Sequence, residues 1–344
     1  MPIDRTTDFN VKPEPTDFNP YLFAHLGNLK KYPELERLYE STLKKSWDDK
    51  EVFEKLVAEH GECKLPQEKR MALARIFSII YYGEVVAMLV ASQIVDIAPD
   101  LAAKFAAAGQ TIDEARHVSV MGRYLKYLGV ELPDINPFAR AILEDVRNSG
   151  EIHLKLAGMQ VFVENIAFNL FNEVAKTNCD PVLTGILNYV KLDEARHVGL
   201  GKNYLPQYLE HLSAKDAIGF SVSQVKWLAG IFFAIQMMKE DARTVGIDIN
   251  KAVKKGMRDQ LDIAKGMGRW RLRRGFVMFP NSWNDYLVDT FFPQTDDPRR
   301  WRQTLGDQAE KWSSRFGDLY IRLFAPKDNN PGGKAWSARK LAQA

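Results

Sequence analysis

Asp113-Glu114-Ala115-Arg116-His117-Val118 recurs as Asp193-Glu194-Ala195-Arg196-His197-Val198, and each copy is preceded at the same distance by a glutamate, Glu84 or Glu164. The whole set repeats at an offset of 80 residues, and even Tyr124-Leu125 and Tyr204-Leu205 fall at equivalent places. On a helix, Glu and His three positions apart share one face, so a single ion or ion pair can take both. Carboxylate oxygens and imidazole nitrogens together suit iron or manganese, whereas the absence of cysteine from the motifs argues against iron–sulfur and structural zinc. One Glu-x-x-His is a common coincidence on a helix surface; two copies with matched partner glutamates are a specific signal. The candidate ligands are therefore Glu84, Glu114, His117, Glu164, Glu194 and His197. Asp113 and Asp193 are expected to accept the free ring N–H of a ligand histidine, with Arg116 and Arg196 paired to those aspartates. Glu173 is a competing carboxylate, but it breaks the repeat offset.

Helices must position these groups. Pro66 opens a long apolar helix over about 67–97, and Pro99 starts another that runs to about 128 and stops at Gly129. Glu84 and Glu114 lie equally far from Pro99, roughly 22 Å at ~1.5 Å per residue, so an antiparallel hairpin brings them to one level. Glu164 and Glu194 are likewise centred on Cys179, inside the turn 177–181 that joins helices over about 151–176 and 181–212. Two such hairpins, linked by a crossover with a short helix over 139–147, make a four-helix bundle whose core gathers four glutamates and two histidines. Ile80, Tyr81, Ala87 and Met88 share the face of Glu84, and Val161, Ala167, Phe168 and Phe171 surround Glu164. Unpaired carboxylates in such surroundings would cost several kcal/mol, so a cation is expected among them. Tyr81, Met88, Phe168 and Phe171 are the expected lining of a substrate pocket.

Outside this bundle, residues 1–66 read as an extended arm and a charged helical stretch, and 67–212 as the metal-binding bundle. Residues 213–325 read as further helices (about 214–244 and 250–267) with a cap of short helices, and 326–344 as a loose tail. The cluster Arg269, Trp270, Arg271, Arg273 and Arg274 could dock an acidic electron donor or acyl carrier protein. Of 344 residues, 46% are apolar and 26% charged, with a net charge of +3, the balance of a soluble globular protein and too little basicity to imply nucleic acid. Two isolated cysteines fit a reducing compartment, and no secretory signal is visible, so a cytoplasmic location is expected. The most membrane-like run, 76–95, carries Glu84 near its middle and reads as a buried core helix rather than a span. No nucleotide-binding glycine fingerprint and no strand alternation occur. The expected fold class is all-α: a ferritin-like four-helix bundle with additional N- and C-terminal helices.

The paired Glu and Glu-x-x-His motifs over about 67–212 resemble the ferritin-like di-iron carboxylate superfamily. The likeness is to its oxygen-activating branch: monooxygenase hydroxylase subunits, acyl-carrier-protein desaturases, N-oxygenases and the ribonucleotide reductase small subunit. The resemblance implies two iron ions per chain, with manganese at one position as a variant. Glu84, Glu114 and His117 would hold one and Glu164, Glu194 and His197 the other, with Glu114 and Glu194 as bridges. It implies a monooxygenase or oxidase that activates dioxygen to hydroxylate, desaturate or N-oxygenate a small organic substrate. Its electrons would come from a ferredoxin or reductase, and an acyl carrier protein and a homodimer are compatible partners. The alternatives are a ferroxidase or peroxidase that handles iron and a radical-generating subunit like that of ribonucleotide reductase. Met121 stands where the latter usually has its radical tyrosine, Val190 stands where one N-oxygenase type adds a histidine, and simple iron handlers are usually far shorter. These departures favour an oxygenase.

Overall fold

The computed structural model describes residues 31–267, 281–294 and 297–324, the side chains of 314 and 315 excepted. The arm 1–30, the Arg269–Arg274 cluster and the tail 326–344 lie outside the described residues. Among those described, twelve α-helices and one π-helix account for the regular structure and no strand occurs, so the chain is all-α.

The helices are α1 Pro33–Lys44, α2 Asp49–His60, α3 Gln67–Ile97, α4 Leu101–Leu128, α5 Pro137–Asn148, α6 Ile152–Lys155, the π-helix Leu156–Val163, α7 Glu164–Thr177, α8 Pro181–Glu210, α9 Ala214–Thr244, α10 Ile249–Gly266, α11 Asn281–Phe291 and α12 Arg300–Phe324. Their ends follow the local chemistry. Gly129 closes α4 in the left-handed conformation at φ 67°, which costs a glycine nothing. Asn178 does the same after α7 at φ 45°, and Asp180 then caps α8 by accepting from the Leu183 amide, with Pro181 in the first turn. The second hairpin turn is thus built from residues that stop one helix and start the next.

Helices α3, α4, the π-helix with α7, and α8 form the bundle. Helices α1 and α2 cover α4 and α8, while α9 lies against α3 and α5, and α10 against α7. The expected continuous helix over 151–176 is instead α6, a π-helical segment and α7. The expected cap of short helices contains one helix of 25 residues, α12, whose side-chain pattern is strongly amphipathic.

The apolar core is divided along the bundle axis. One layer holds Val86, Val90, Ala103, Ala107, Met159, Leu200 and Tyr204; the other holds Phe77, Ile80, Val120, Tyr124, Phe171, Leu187 and Val190. The level left between them, near residues 84, 114, 164 and 194, is where the polar groups lie. Among the described residues, two helices, Gln67–Ile97 and Ala214–Thr244, are long and apolar enough to cross a bilayer. The first is a central bundle helix, and burial against its neighbours accounts for its apolar composition.

Candidate metal centre

All six glutamates and histidines of the repeat reach this middle level, each no more than 4% exposed. Glu84 comes from α3, Glu114 and His117 from α4, Glu164 from the first turn of α7, and Glu194 and His197 from α8. Ligand atoms of Glu84, Glu114, His117 and Glu194 lie within 4.8 Å of one another, as do those of Glu114, Glu164 and His197.

The imidazoles organise the geometry. Each directs Nδ1 into the carboxylates and Nε2 away from them. Nδ1 of His117 is 3.0 Å from Glu84 Oε2, 3.4 Å from Glu114 Oε2 and 3.3 Å from Glu194 Oε1. Nδ1 of His197 is 3.0 Å from Glu114 Oε1, 3.4 Å from Glu194 Oε2 and 3.9 Å from Glu164 Oε2. Glu114 and Glu194 therefore each turn one oxygen to each imidazole, the pose of a bridging carboxylate, while Glu84 and Glu164 each approach one.

On the outer side the support is crossed. Asp193 Oδ2 is 3.1 Å from His117 Nε2, and Asp113 Oδ2 is 3.3 Å from His197 Nε2, so each aspartate serves the histidine of the other repeat. The sequence pairs each aspartate with a histidine but not with which one; only the antiparallel packing of α4 against α8 decides that. Arg196 binds both Asp113 and Asp193, and Arg116 binds Asp113 with Asp193 at 3.5 Å. The result is a buried quartet of two aspartates and two arginines behind the histidines.

Protonation reflects this crowding. Burial and then the charges of Glu194 and Glu114 push the Glu84 carboxyl well above the usual range, and burial with Glu114 and Glu194 does the same to Glu164. For Glu114, burial acts upward but is outweighed by His197 and His117, which hold it well below the usual range. For His117 and His197, burial acts downward, yet the facing carboxylates and aspartates raise both well above an ordinary histidine. Burial and the mutual repulsion of the carboxylates thus act against the attraction of the two imidazoles.

A metal pair fits these residues. Glu114 Oε2, both oxygens of Glu194 and Nδ1 of His197 are buried with no hydrogen-bond partner, and such orphaned groups cost free energy unless something coordinates them. All of them point into the space between the two imidazoles. Four carboxylates and two imidazoles supply hard oxygen and nitrogen donors of the kind iron and manganese take.

Three further residues escaped the sequence reading. Gln110, one turn before Glu114, donates from Nε2 to Glu114 Oε1 at 3.0 Å and to Glu164 Oε1 at 2.9 Å. Its i−4 spacing from Glu114 was the available signal. Gln160, fully buried in the π-helix, stands behind it at 3.4 Å. Trp47, between α1 and α2, donates from Nε1 to Asp193 Oδ2 at 2.8 Å and stacks near His117; nothing in local spacing announces it. Conversely, Glu173 pairs with Lys176 at 2.6 Å and takes no part in the cluster. Of the expected pocket residues, Phe171 is fully buried, Phe168 lies beneath Lys255, and Tyr81 faces Gly122. None of Tyr81, Met88, Phe168 and Phe171 lines the cavity of about 470 Å³ that lies between α7, α9, α10 and α11. That cavity is apolar, with Phe162, Ile166, Leu170, Ile231, Val253 and Phe291 among its walls.

A helical bundle with this duplicated carboxylate and histidine level resembles the ferritin-like di-iron carboxylate superfamily. Within that class, residues 44–211, just under half of the chain, match the family model described as Methane/Phenol/Alkene Hydroxylase. The matched stretch holds all six side chains together with Trp47, Gln110 and Gln160. Comparison with curated proteins and with solved structures gave no match.

Proposed function

We propose that this protein is a non-haem di-iron monooxygenase that hydroxylates an apolar organic substrate with dioxygen and two electrons from an external ferredoxin or reductase. The observation that carries this reading is the split pose of Glu114 and Glu194, each with one oxygen toward each imidazole, flanked by one further glutamate per side. That pose prepares two adjacent ion positions rather than one. The hydroxylase family match over the same residues favours hydroxylation above desaturation or N-oxygenation.

When bound, the iron pair would supply dioxygen binding and the redox chemistry. The chain's own residues do the rest. Glu84, Glu114 and His117 would hold one iron and Glu164, Glu194 and His197 the other, with Glu114 and Glu194 shared. Asp193 and Asp113 fix the ring orientation of His117 and His197, which keeps Nδ1 aimed inward. The two apolar layers above and below exclude water, so charge on the carboxylates is felt strongly and side reactions with solvent are suppressed. The apolar cavity flanks the π-helix and α7 through Phe162 and Asn165, the residues on either side of the Val163-Glu164 pair, and suits a substrate with little polarity.

Anaerobic loading with ferrous iron followed by rapid mixing with dioxygen, watched by absorbance and electron paramagnetic resonance, tests the reading. About two irons per chain are expected, and both should be oxidised together. Glu114→Ala or His197→Ala should abolish stoichiometric binding. Retention of both irons in those variants would refute the ligand assignment, and accumulation of many irons per chain would point to iron storage instead.

A further inference from the structure

The two copies of the repeat differ at many positions, and three of these differences lie side by side in the fold. Gln110 corresponds to Val190 in the second copy, Gln160 corresponds to Ile80 in the first, and Gly201 corresponds to Met121. All three departures gather around Glu164. Gln110 reaches Glu164 directly, Gln160 backs Gln110, and Gly201 lets α8 approach Gln160 and Val161 so closely that a Cβ there would stand 2.8 Å from both. The backbone differs as well: residues 156–163 are π-helical, whereas the matching 76–83 lie within regular α-helix.

We propose that Gln110 is a positioning residue that makes the two metal positions unequal, a tightly held one at Glu164 and His197 and a more open one at Glu84 and His117. The proposal rests on the di-metal reading above and goes beyond it.

The argument is one of hydrogen-bond capacity. The Gln110 amide has two N–H donors, and both are engaged, one by Glu114 Oε1 and one by Glu164 Oε1. The opposite amide orientation would set its carbonyl against two carboxylates, so the donor assignment follows from the partners. The hydrogen bond to Oε1 uses one lone pair of Glu164 and fixes the orientation of its carboxylate, with Oε2 the oxygen nearer His197. Glu84 has no equivalent. Its Oε2 faces only the Nδ1 of His117, and once that nitrogen is committed to a metal both Glu84 oxygens are available. The counterpart of Gln110 is the apolar Val190, fully buried in the other layer. Glu84 is thereby free to bind through one oxygen or two, and the ion beside it can change its coordination while its neighbour does not.

Replacing Gln110 by valine borrows the residue that the protein itself accommodates at the equivalent position. Ferrous iron titrated anaerobically into the full chain, followed by near-infrared circular dichroism, reads the ligand field of each iron separately. The unaltered protein is expected to show two distinct ferrous sites. In Gln110→Val, one site should change its bands and lose about 10- to 100-fold in affinity, the usual effect of removing a group that supports a ligand, while the bands of the other, reached only through the shared Glu114, shift less. Gln160→Met should produce the same change in milder form, and it decides the matter if Gln110→Val does not fold. Val190→Gln should bring the two sets of bands closer together. Two equivalent irons in the unaltered protein, or two sites that respond equally to Gln110→Val, would overturn this inference alone. Fewer than two irons per chain would overturn the di-metal reading and this inference with it.

Discussion

Asp113 has no accessible surface, accepts from both Arg116 and Arg196, and turns Oδ2 toward His197 Nε2 at 3.3 Å. Thr42, from α1, reaches the same oxygen at 3.4 Å, and Arg196 in turn reaches Thr42 at 3.2 Å. The two aspartates and two arginines compensate one another, so the quartet is tolerated in the interior only while it is complete. Removing one member leaves a buried guanidinium short of its counter-charge, which typically costs about 3–5 kcal/mol. Asp113→Ala should therefore destabilise the metal-free protein by that order, read as a lower urea midpoint, and Asp113→Asn by less, because the amide still accepts one hydrogen bond. An unchanged midpoint would mean that water enters the quartet and that its burial is unimportant to stability. The presence of this quartet was legible in the duplicated Asp-Glu-Ala-Arg-His string. Its crossed wiring was not, since spacing along one helix carries no information about the partner helix.

At the scale of elements, the π-helix is the feature that periodicity missed. Its sequence, Leu156 to Val163, is apolar at every position but Gly158 and Gln160, so it offers no polar face from which to count a period. Tertiary contacts decide its geometry. Gly158 lies against Val146 and Trp227, and Gly201 of α8 lies against Gln160 and Val161, leaving no room for a Cβ at either glycine without displacement. π-Helical turns within α-helices recur at functional positions, and this one ends at Glu164. Gly201→Ala should push the segment outward and cost about 1–3 kcal/mol, the usual range for overpacking, visible as a lower melting temperature. Because the displaced backbone carries Glu164, iron affinity should fall too. A variant that melts lower yet binds both irons normally would separate packing from ligand placement.

Across the whole molecule, the N-terminal and C-terminal helices divide two tasks. Helices α1 and α2 close the α4 and α8 side and bring Trp47 and Thr42 to the aspartates. Together with α7, helices α9, α10 and α11 line the apolar cavity, at whose wall Asn165 and Asn169 are held by Gln260 and Lys255 of α10. None of the six cluster residues lines that cavity, so filling it should spare the metal centre. Val253→Trp is expected to slow oxidation of an apolar substrate while leaving iron stoichiometry unchanged. Equal turnover in the two proteins would show that substrate reaches the centre by another route.

What the sequence determined by itself is the set of six side chains and its level in the bundle. Two Glu-x-x-His motifs, two partner glutamates and hairpin arms of equal length suffice to bring six side chains together, because helix rise and period are nearly invariant. The turns were legible for the same reason, since Gly129, Asn178 and Pro181 have backbone preferences that hold whatever surrounds them. Tertiary structure alone decided which aspartate supports which histidine, how Glu114 and Glu194 divide their oxygens, and where the helix before Glu164 widens. Those outcomes depend on close approach between segments distant in the chain, such as Gly201 against Gln160 and Trp47 against Asp193, and no local pattern of residue types encodes them.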